Sequence, residues 1–140
     1  MTSSPIVHAI ETDGSRYANH VTMGSHSLIS DEPERLGGEN LGPNPFDLLG
    51  AALAACTSMT IRMYAERKGW DVQNLEVTVD HSRERGHETF TRTISFNGAH
   101  TEEERERLID VSHRCPVHKV MEGSATIITE TSTPPTQCDR

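Results

Sequence analysis

Two of the three cysteines in this 140-residue chain have surroundings in which a thiol could react. Cys56 lies near the middle of a long helical pattern, and Cys115 lies in the segment RCPVHK. Arg114, His118 and Lys119 stand within one turn of Cys115, and nearby positive charge raises the fraction of a thiol that is ionised. Each cysteine also has a structural interpretation, because free thiols on apolar helix faces are commonly buried packing residues.

Other chemistries find little support in the residues. Cys115 and His118 have the C-x-x-H spacing of half a zinc site, but no second pair lies at ligand spacing, so we predict no metal. The phosphate-binding G-x-x-x-x-G-K-[ST] motif, the dinucleotide motif G-x-G-x-x-G and the nucleophile elbow G-x-S-x-G are all absent. The residues therefore point to thiol chemistry before any other kind.

The element that must position Cys56 is a helix predicted within residues 44–70. Asn44 is a suitable N-cap, Pro45 suits the first helical position and Gly69 is a suitable C-cap. The segment GAALAAC is rich in small residues, which predicts a central helix that packs on more than one side. At 3.6 residues per turn, one apolar face carries Cys56 together with Leu49, Ala52, Leu53, Met59, Thr60 and Met63.

The rest of the chain predicts an α+β domain over residues 1–132, followed by a flexible tail over 133–140 that includes Cys138. Residues 31–45 are rich in Gly, Pro and Asn and predict a long functional loop. A capping box of Thr101 and Glu104 starts a second helix that runs to about Arg114. The predicted strands are 6–11, 17–23, 26–30, 75–80, 89–96 and 124–131, with a polar turn over 81–88 and a helical turn over 117–121.

Composition restricts the partners. The net charge of −8 and the pI near 5.4 argue against nucleic acid or an acidic membrane surface. We expect no signal peptide and no stretch long enough to span a membrane. An odd number of widely spaced cysteines predicts free thiols in a reducing cytoplasm.

The segment DEPERLGGENLGPNPFDLLGAALAACTSMTIRMYAERKGW, followed by RCPVHKV, resembles the OsmC/Ohr family of thiol-dependent peroxidases, in particular its OsmC-like branch. The resemblance implies that Cys56 is the peroxidatic cysteine and Cys115 the resolving one. It also implies an intertwined α+β homodimer in which two antiparallel sheets wrap around central helices, with active sites at the interface. No cofactor would be bound, and an external dithiol reductant, of lipoyl type in related enzymes, would be required.

The chain departs from the family pattern at one position. In well-known members a glutamate ten residues before the peroxidatic cysteine pairs with an arginine, but Phe46 occupies that position here. Asp47 is the nearest carboxylate, and a helix rises roughly 13 Å over nine residues, so Asp47 could serve only a partner chain's cysteine. Arg16 and Arg35 are the candidate arginines. All three can equally be exposed charges, and Asp47 also suits the first turn of a helix.

The predicted function is reduction of organic hydroperoxides. Phe46, Leu49, Met59 and Met63 would form an apolar pocket that favours alkyl hydroperoxides over hydrogen peroxide, although the same residues could be core. His118 is a supporting residue. The alternatives are a non-catalytic dimeric protein that binds a small hydrophobic ligand, and a different thiol chemistry that uses Cys56.

Overall fold

A computed structural model of the chain describes residues 4–132. Within this range the fold is α+β, as predicted, with an antiparallel three-stranded sheet, an antiparallel hairpin and three helices. The strands are β1 (Val7–Glu11), β2 (Asn19–Met23), β3 (His26–Ser30), β4 (Gln73–Glu84) and β5 (His87–Asn97), and the helices are α1 (Pro45–Lys68), α2 (Glu102–Val111) and α3 (Pro116–Met121).

The amino-terminal sheet has the order β1-β2-β3, which confirms the predicted hairpin and its third strand. The sheet makes few contacts with the helices or with the β4–β5 hairpin. Much of its apolar surface is open, with Ile10 56% exposed and Ile6, just before β1, 87% exposed. The sheet is therefore joined to the rest of the fold mainly through the loop that follows β3.

The loop over residues 31–44 is closely tied to itself and to the end of β3. The buried carboxylate of Asp31 accepts hydrogen bonds from the backbone N–H groups of Glu32, Glu39 and Leu41 and from the Ser15 hydroxyl. Burial raises the pKa of Asp31, but these four hydrogen bonds outweigh it and hold that pKa below its usual value. The loop is thus a defined structure that fixes the start of α1.

Helix α1 begins and ends at the predicted caps. The Asn44 side chain accepts from the Asp47 N–H at 2.8 Å, and the Asp47 carboxylate accepts from the Asn44 N–H at 3.0 Å. Pro45 is the first helical residue, and Gly69 ends the helix in the left-handed conformation at φ 70°. The cap chemistry visible in the sequence was sufficient to place both ends.

The predicted apolar face of α1 is not the face that is buried in this chain. The buried residues are Leu53, Thr57, Ile61, Tyr64 and Ala65. Most of them lie roughly a quarter turn around the helix from the predicted face. That face is largely open, with Leu49, Met59 and Met63 exposed at 43%, 58% and 66%. The helix therefore has two apolar faces that meet near Leu53, and the half-buried Cys56 lies on the more open one.

The hairpin of β4 and β5 is longer than predicted. The turn consists only of Arg85 and Gly86, both at positive φ, and the predicted polar turn over residues 81–88 was wrong because most of it is paired strand. His81 pairs with Phe90 within the ladder. Charged and histidine residues over 81–88 obscure the alternation of apolar and polar residues that predicts a strand. An antiparallel hairpin accommodates them because one of its faces is exposed to solvent.

The core lies between α1, the hairpin and α2. It consists of Ile61, Tyr64, Ala65, Val72, Phe96, Leu108 and Val111. The capping box of Thr101 and Glu104 starts α2 as predicted, and a short 3-10 turn over Ser112–Arg114 leads from α2 to Cys115. Cys115 immediately precedes α3, so the helix break predicted at Cys115-Pro116 is confirmed.

Two further predictions were wrong. Residues 124–131 form no strand, since no described strand lies beside them to accept their hydrogen bonds, and Ile127 and Ile128 are 90% and 80% exposed. Helix α1 also reaches the length and composition of a membrane span, with a mean hydropathy of 1.3 over 18 residues. The central helix of a packed domain has the same length and composition. The predicted tail and Cys138 lie outside the described residues.

Candidate active site

The fold brings together the two cysteines that the sequence singled out. Cys56 lies on α1 and Cys115 lies between the 3-10 turn and α3, which both pack against α1, and the two free thiols are near enough for each to shift the pKa of the other. Cys115 is fully buried, whereas Cys56 is only half-buried. Of the two thiols, Cys56 is therefore the one that a molecule from solvent can reach.

The two thiols differ in how easily they ionise. Burial raises the pKa of Cys56, and the hydrogen bond and the negative charge from Cys115 raise it further. Burial also raises the pKa of Cys115. Hydrogen bonds from Cys56, from the N–H groups of His118 and Val117 and from the Thr57 hydroxyl outweigh this effect and leave the Cys115 pKa below its usual value. The charge on either thiol therefore affects the ionisation of the other.

The sequence interpretation missed a cation beside this pair, Arg92 on β5. Its Nη1 donates to Thr57 Oγ1 at 2.9 Å and to the Ser112 carbonyl at 3.4 Å. Arg92 lies on the strand face that also carries Phe90, Ile94 and Phe96, which packs inward. The signal was visible in the sequence as FTRTISF, where strict alternation places an arginine among apolar residues.

Asp47 and Phe46 lie away from Cys56 of the same chain. The Asp47 carboxylate is exposed and completes the α1 capping box, which is the structural role that the sequence left open. The Phe46 ring stacks on the ring of His81 at 4.5 Å between centroids, and the Arg83 guanidinium lies 5.2 Å from the Phe46 centroid. Both residues line a cavity of about 420 Å³ at the start of α1.

The two candidate arginines have different surroundings. Arg35 lies in the 3-10 turn Glu34–Leu36 and lines the same cavity as Phe46 and Asp47. Arg16 is exposed in the loop between β1 and β2, with its guanidinium 5.4 Å from the Tyr17 ring centroid. Neither contributes to the hydrogen bonds described around the two thiols. Within residues 4–132 of one chain, Arg92 is linked to Cys115 through its hydrogen bond with Thr57, and neither Arg16 nor Arg35 has such a link.

The predicted apolar pocket does not form within one chain. Phe46 lines the cavities at the start of α1, but Leu49, Met59 and Met63 line neither of them. These three residues lie on the open face of α1 and are exposed. The reason is that α1 has two apolar faces, and the second one is not covered by any element within residues 4–132.

His118 lies on α3 beside the thiol pair. Its backbone N–H donates to Cys115, while its Nε2 lies 2.9 Å from Glu122 Oε1 and its ring stacks on His113. The side chain is therefore engaged away from Cys115. No cluster of three metal-binding side chains occurs among residues 4–132, and the C-x-x-H pair of Cys115 and His118 has no further ligand there.

Comparisons with known proteins place this arrangement in a family. The family model described as OsmC-like protein matches residues 37–130, which include both cysteines. A comparison with curated protein sequences finds no match.

Solved structures share the fold over most of the chain. An OsmC-like protein from Mycoplasma pneumoniae has a TM-score of 0.74 and 23% identity and covers 89% of this chain and 91% of its own. An organic hydroperoxide resistance protein, OsmC, from Legionella pneumophila has a TM-score of 0.67 and 23% identity, covering 88% and 92%. OhrB of Bacillus subtilis, also an organic hydroperoxide resistance protein, has a TM-score of 0.59 and 22% identity, covering 88% and 93%.

The fold of these structures agrees with the mixed architecture described above, and the resemblance drawn from the two cysteine motifs is confirmed. Since the matched segment makes up well over half of the chain, this protein belongs to the OsmC-like protein family.

Proposed function

We propose that this protein is a thiol-dependent peroxidase that reduces organic hydroperoxides through Cys56 and Cys115. The observation that carries the proposal is the contact between an accessible thiol and a fully buried one, each from a different helical segment. The names of the structural neighbours, which include organic hydroperoxide resistance proteins, support the same substrate class.

The first step uses the accessible thiol. In its thiolate form, Cys56 attacks the distal oxygen of the hydroperoxide. The O–O bond breaks, the leaving alkoxide takes up a proton to become an alcohol, and Cys56 becomes a sulfenic acid. Burial and Cys115 raise the pKa of Cys56, and the backbone N–H of Val117 opposes part of that increase.

The second step uses the buried thiol. Cys115 attacks the Cys56 sulfur, an S–S bond forms, the S–O bond breaks, and the hydroxide released is protonated to water. An external dithiol then reopens the disulfide by thiol exchange and is itself oxidised. A lipoyl-type dithiol remains our proposal for this reductant.

We further propose that the working form is a homodimer. The open face of α1 and the apolar residues of the amino-terminal sheet are unusually exposed for a single chain, as Met63 and Ile6 illustrate. A second copy would cover both surfaces. The cavity that carries Arg35, Phe46 and Asp47 could then lie over the partner's thiol pair, which is the only way those residues could act on Cys56.

The test is single-turnover oxidation of the reduced protein with cumene hydroperoxide and, separately, with hydrogen peroxide. We expect rapid loss of two thiols and a Cys56–Cys115 disulfide by mass spectrometry, faster with the organic peroxide. Cys56→Ser should abolish the reaction, whereas Cys115→Ser should stop at a sulfenic acid that dimedone traps. Full peroxidase activity in Cys56→Ser would disprove the scheme, and intact thiols in the wild-type protein would instead favour a ligand-binding role.

A further inference from the structure

Arg92 occupies a position that an apolar side chain would ordinarily fill. Its neighbours on the inward face of β5 are Phe90 and Ile94, and its guanidinium reaches past them to α1 and to the end of α2. Within residues 4–132, no carboxylate lies within ion-pair distance of Arg92. A partly buried cation without a counter-charge is costly, so the structure must gain from placing it there.

The contact of Arg92 with Thr57 leads directly to the thiols. The Thr57 hydroxyl is fully buried, accepts from Arg92 at 2.9 Å, and has one proton of its own to donate. In this structure the hydroxyl donates to the Leu53 carbonyl, 2.7 Å away, and the Cys115 sulfur lies near enough to the same hydroxyl to be affected by it. With Arg92 on its lone pair, the hydroxyl is polarised in the direction that favours donation to an anionic sulfur.

We propose that Arg92, acting through Thr57, is a positioning residue that holds negative charge on Cys115 while its sulfur attacks the oxidised Cys56. The proposal rests on the peroxidase function and deepens it by separating its two steps. Arg92 serves the disulfide-forming step, in which Cys115 must be a thiolate. Arg16 and Arg35, by contrast, stay candidates for the peroxide-reducing step in a dimer.

Few other groups could mimic this effect. The titratable and charged groups around Cys115 are Cys56 from α1, Arg92 from β5 and, from its own segment, His118, with its ring paired to Glu122, together with the exposed His113, Arg114 and Lys119. Of these, only Cys56 and Arg92 reach Cys115 through side-chain hydrogen bonds in the described residues, Arg92 by way of Thr57. Thr57 and Arg92 are therefore the residues to change.

The experiment follows the two steps separately in a Cys138→Ser background. Sulfenic acid formation is measured by quenching with dimedone, and disulfide formation by mass spectrometry, after mixing with cumene hydroperoxide over a range of pH. We expect Arg92→Gln and Thr57→Val to slow disulfide formation by about tenfold for each unit by which the Cys115 pKa rises. Sulfenic acid should accumulate, and its rate of formation should change much less.

Conservative variants serve as controls for a merely structural role. Thr57→Ser keeps the hydroxyl and should retain the wild-type pH profile, and Arg92→Lys should restore part of the rate lost in Arg92→Gln. An unchanged pH profile of disulfide formation in folded Thr57→Val would overturn the proposal. So would equal slowing in Thr57→Val and Thr57→Ser, since that would show a packing effect.

A second measurement needs no peroxide and so separates failure of this proposal from failure of the peroxidase function. The thiolate of Cys115 is titrated by its ultraviolet absorbance in a Cys56→Ser, Cys138→Ser background. We expect the titration to move to higher pH when Arg92→Gln or Thr57→Val is added. No movement would overturn the role of Arg92, even if the wild-type protein reduces peroxides rapidly.

Discussion

At the scale of single residues, the chemistry depends on a few hydrogen bonds made in the interior. Thr57, Arg92 and Ser112 come from three different elements and meet beside Cys115. A thiol in this setting differs from one in water because burial opposes ionisation while specific donors favour it. The balance between the two decides which sulfur is ionised at neutral pH.

Asp31 gives a prediction at the same scale. Its pKa is lowered in the folded state, so its contribution to stability is present above the ordinary carboxyl pKa and is lost as pH falls through the lowered folded value. Asp31→Asn should therefore lower the melting temperature at about pH 7, and the difference from the wild-type protein should shrink as the pH falls below the ordinary carboxyl pKa and through the lowered folded value. Thermal melts of both proteins across this range are the measurement.

The outcome that would contradict this prediction is a constant difference in melting temperature between the two proteins over the whole pH range. Glu103→Gln is a suitable control, because Glu103 is exposed in the first turn of α2 and accepts none of the described side-chain hydrogen bonds. Its pH dependence should follow that of the wild-type protein closely.

The sequence singled out the two cysteines that the fold brings together, but it did not reveal Arg92 beside them. Cys56 and Cys115 stand in recognisable local motifs, so their importance could be inferred from spacing and resemblance. Arg92 belongs to no motif, and its role depends on the packing of β5 against α1, which local patterns do not encode. Asp47 shows the opposite case, because its capping contact is entirely local and was among the interpretations considered.

At the scale of elements, the loop over residues 31–44 depends on two close approaches of backbone to backbone. A Cβ at Gly42 would lie 1.8 Å from the Ile29 carbonyl oxygen, and one at Gly38 would lie 2.0 Å from the Glu32 carbonyl oxygen. Any side chain at either position forces the backbone to move. This explains physically why the loop carries glycine where it passes over the end of β3.

Two glycine substitutions test this explanation. Gly42→Ala should destabilise the protein by about 1–3 kcal/mol, the usual cost of forcing a methyl group into an occupied space. Gly50→Ala is the matched comparison, because a Cβ there meets only Val79 at an ordinary 3.7 Å. As a helix-interior change it should stabilise by about 0.5–1 kcal/mol. Urea unfolding of both variants gives the values, and equal destabilisation would contradict the prediction.

The elements that sequence reasoning misplaced were those whose partners are not local. Caps and turn residues placed α1 and α2 correctly because each cap is decided within a few residues. The predicted buried face of α1 was wrong in part because the helix has two apolar faces. Periodicity alone does not show which of the two is buried within the same chain. The segment 124–131 has strand-like residues but no neighbouring strand in the described chain.

At the scale of the whole molecule, the open apolar surfaces predict association. Met59→Glu or Met63→Glu places a charge on the open face of α1 and should convert a dimer into a monomer, because a buried unpaired carboxylate is strongly disfavoured. Light scattering coupled to size exclusion gives the mass directly. Glu106→Gln, an exposed change on α2, should leave the mass unchanged.

A monomeric wild-type protein would contradict the dimer. If the dimer forms, the Met63→Glu monomer should also lose peroxidase activity, because the cavity with Arg35 and Phe46 would no longer lie near a partner's thiols. Retained activity in that monomer would show that one chain suffices, with Arg92 as the cation nearest the thiols.

The position of the two thiols also links redox state to folding. Cys56 lies within α1 and Cys115 begins α3, so a bond between them would close a loop of about 60 residues across the core, worth about 4 kcal/mol in chain entropy. Reciprocally, the folded chain would favour the bond by the same free energy. At about 30 mV for each 1.4 kcal/mol, this is a substantial shift toward a weaker oxidant. Reduction of such a disulfide would then require a strongly reducing dithiol, and the oxidised protein would resist unfolding better than the reduced one.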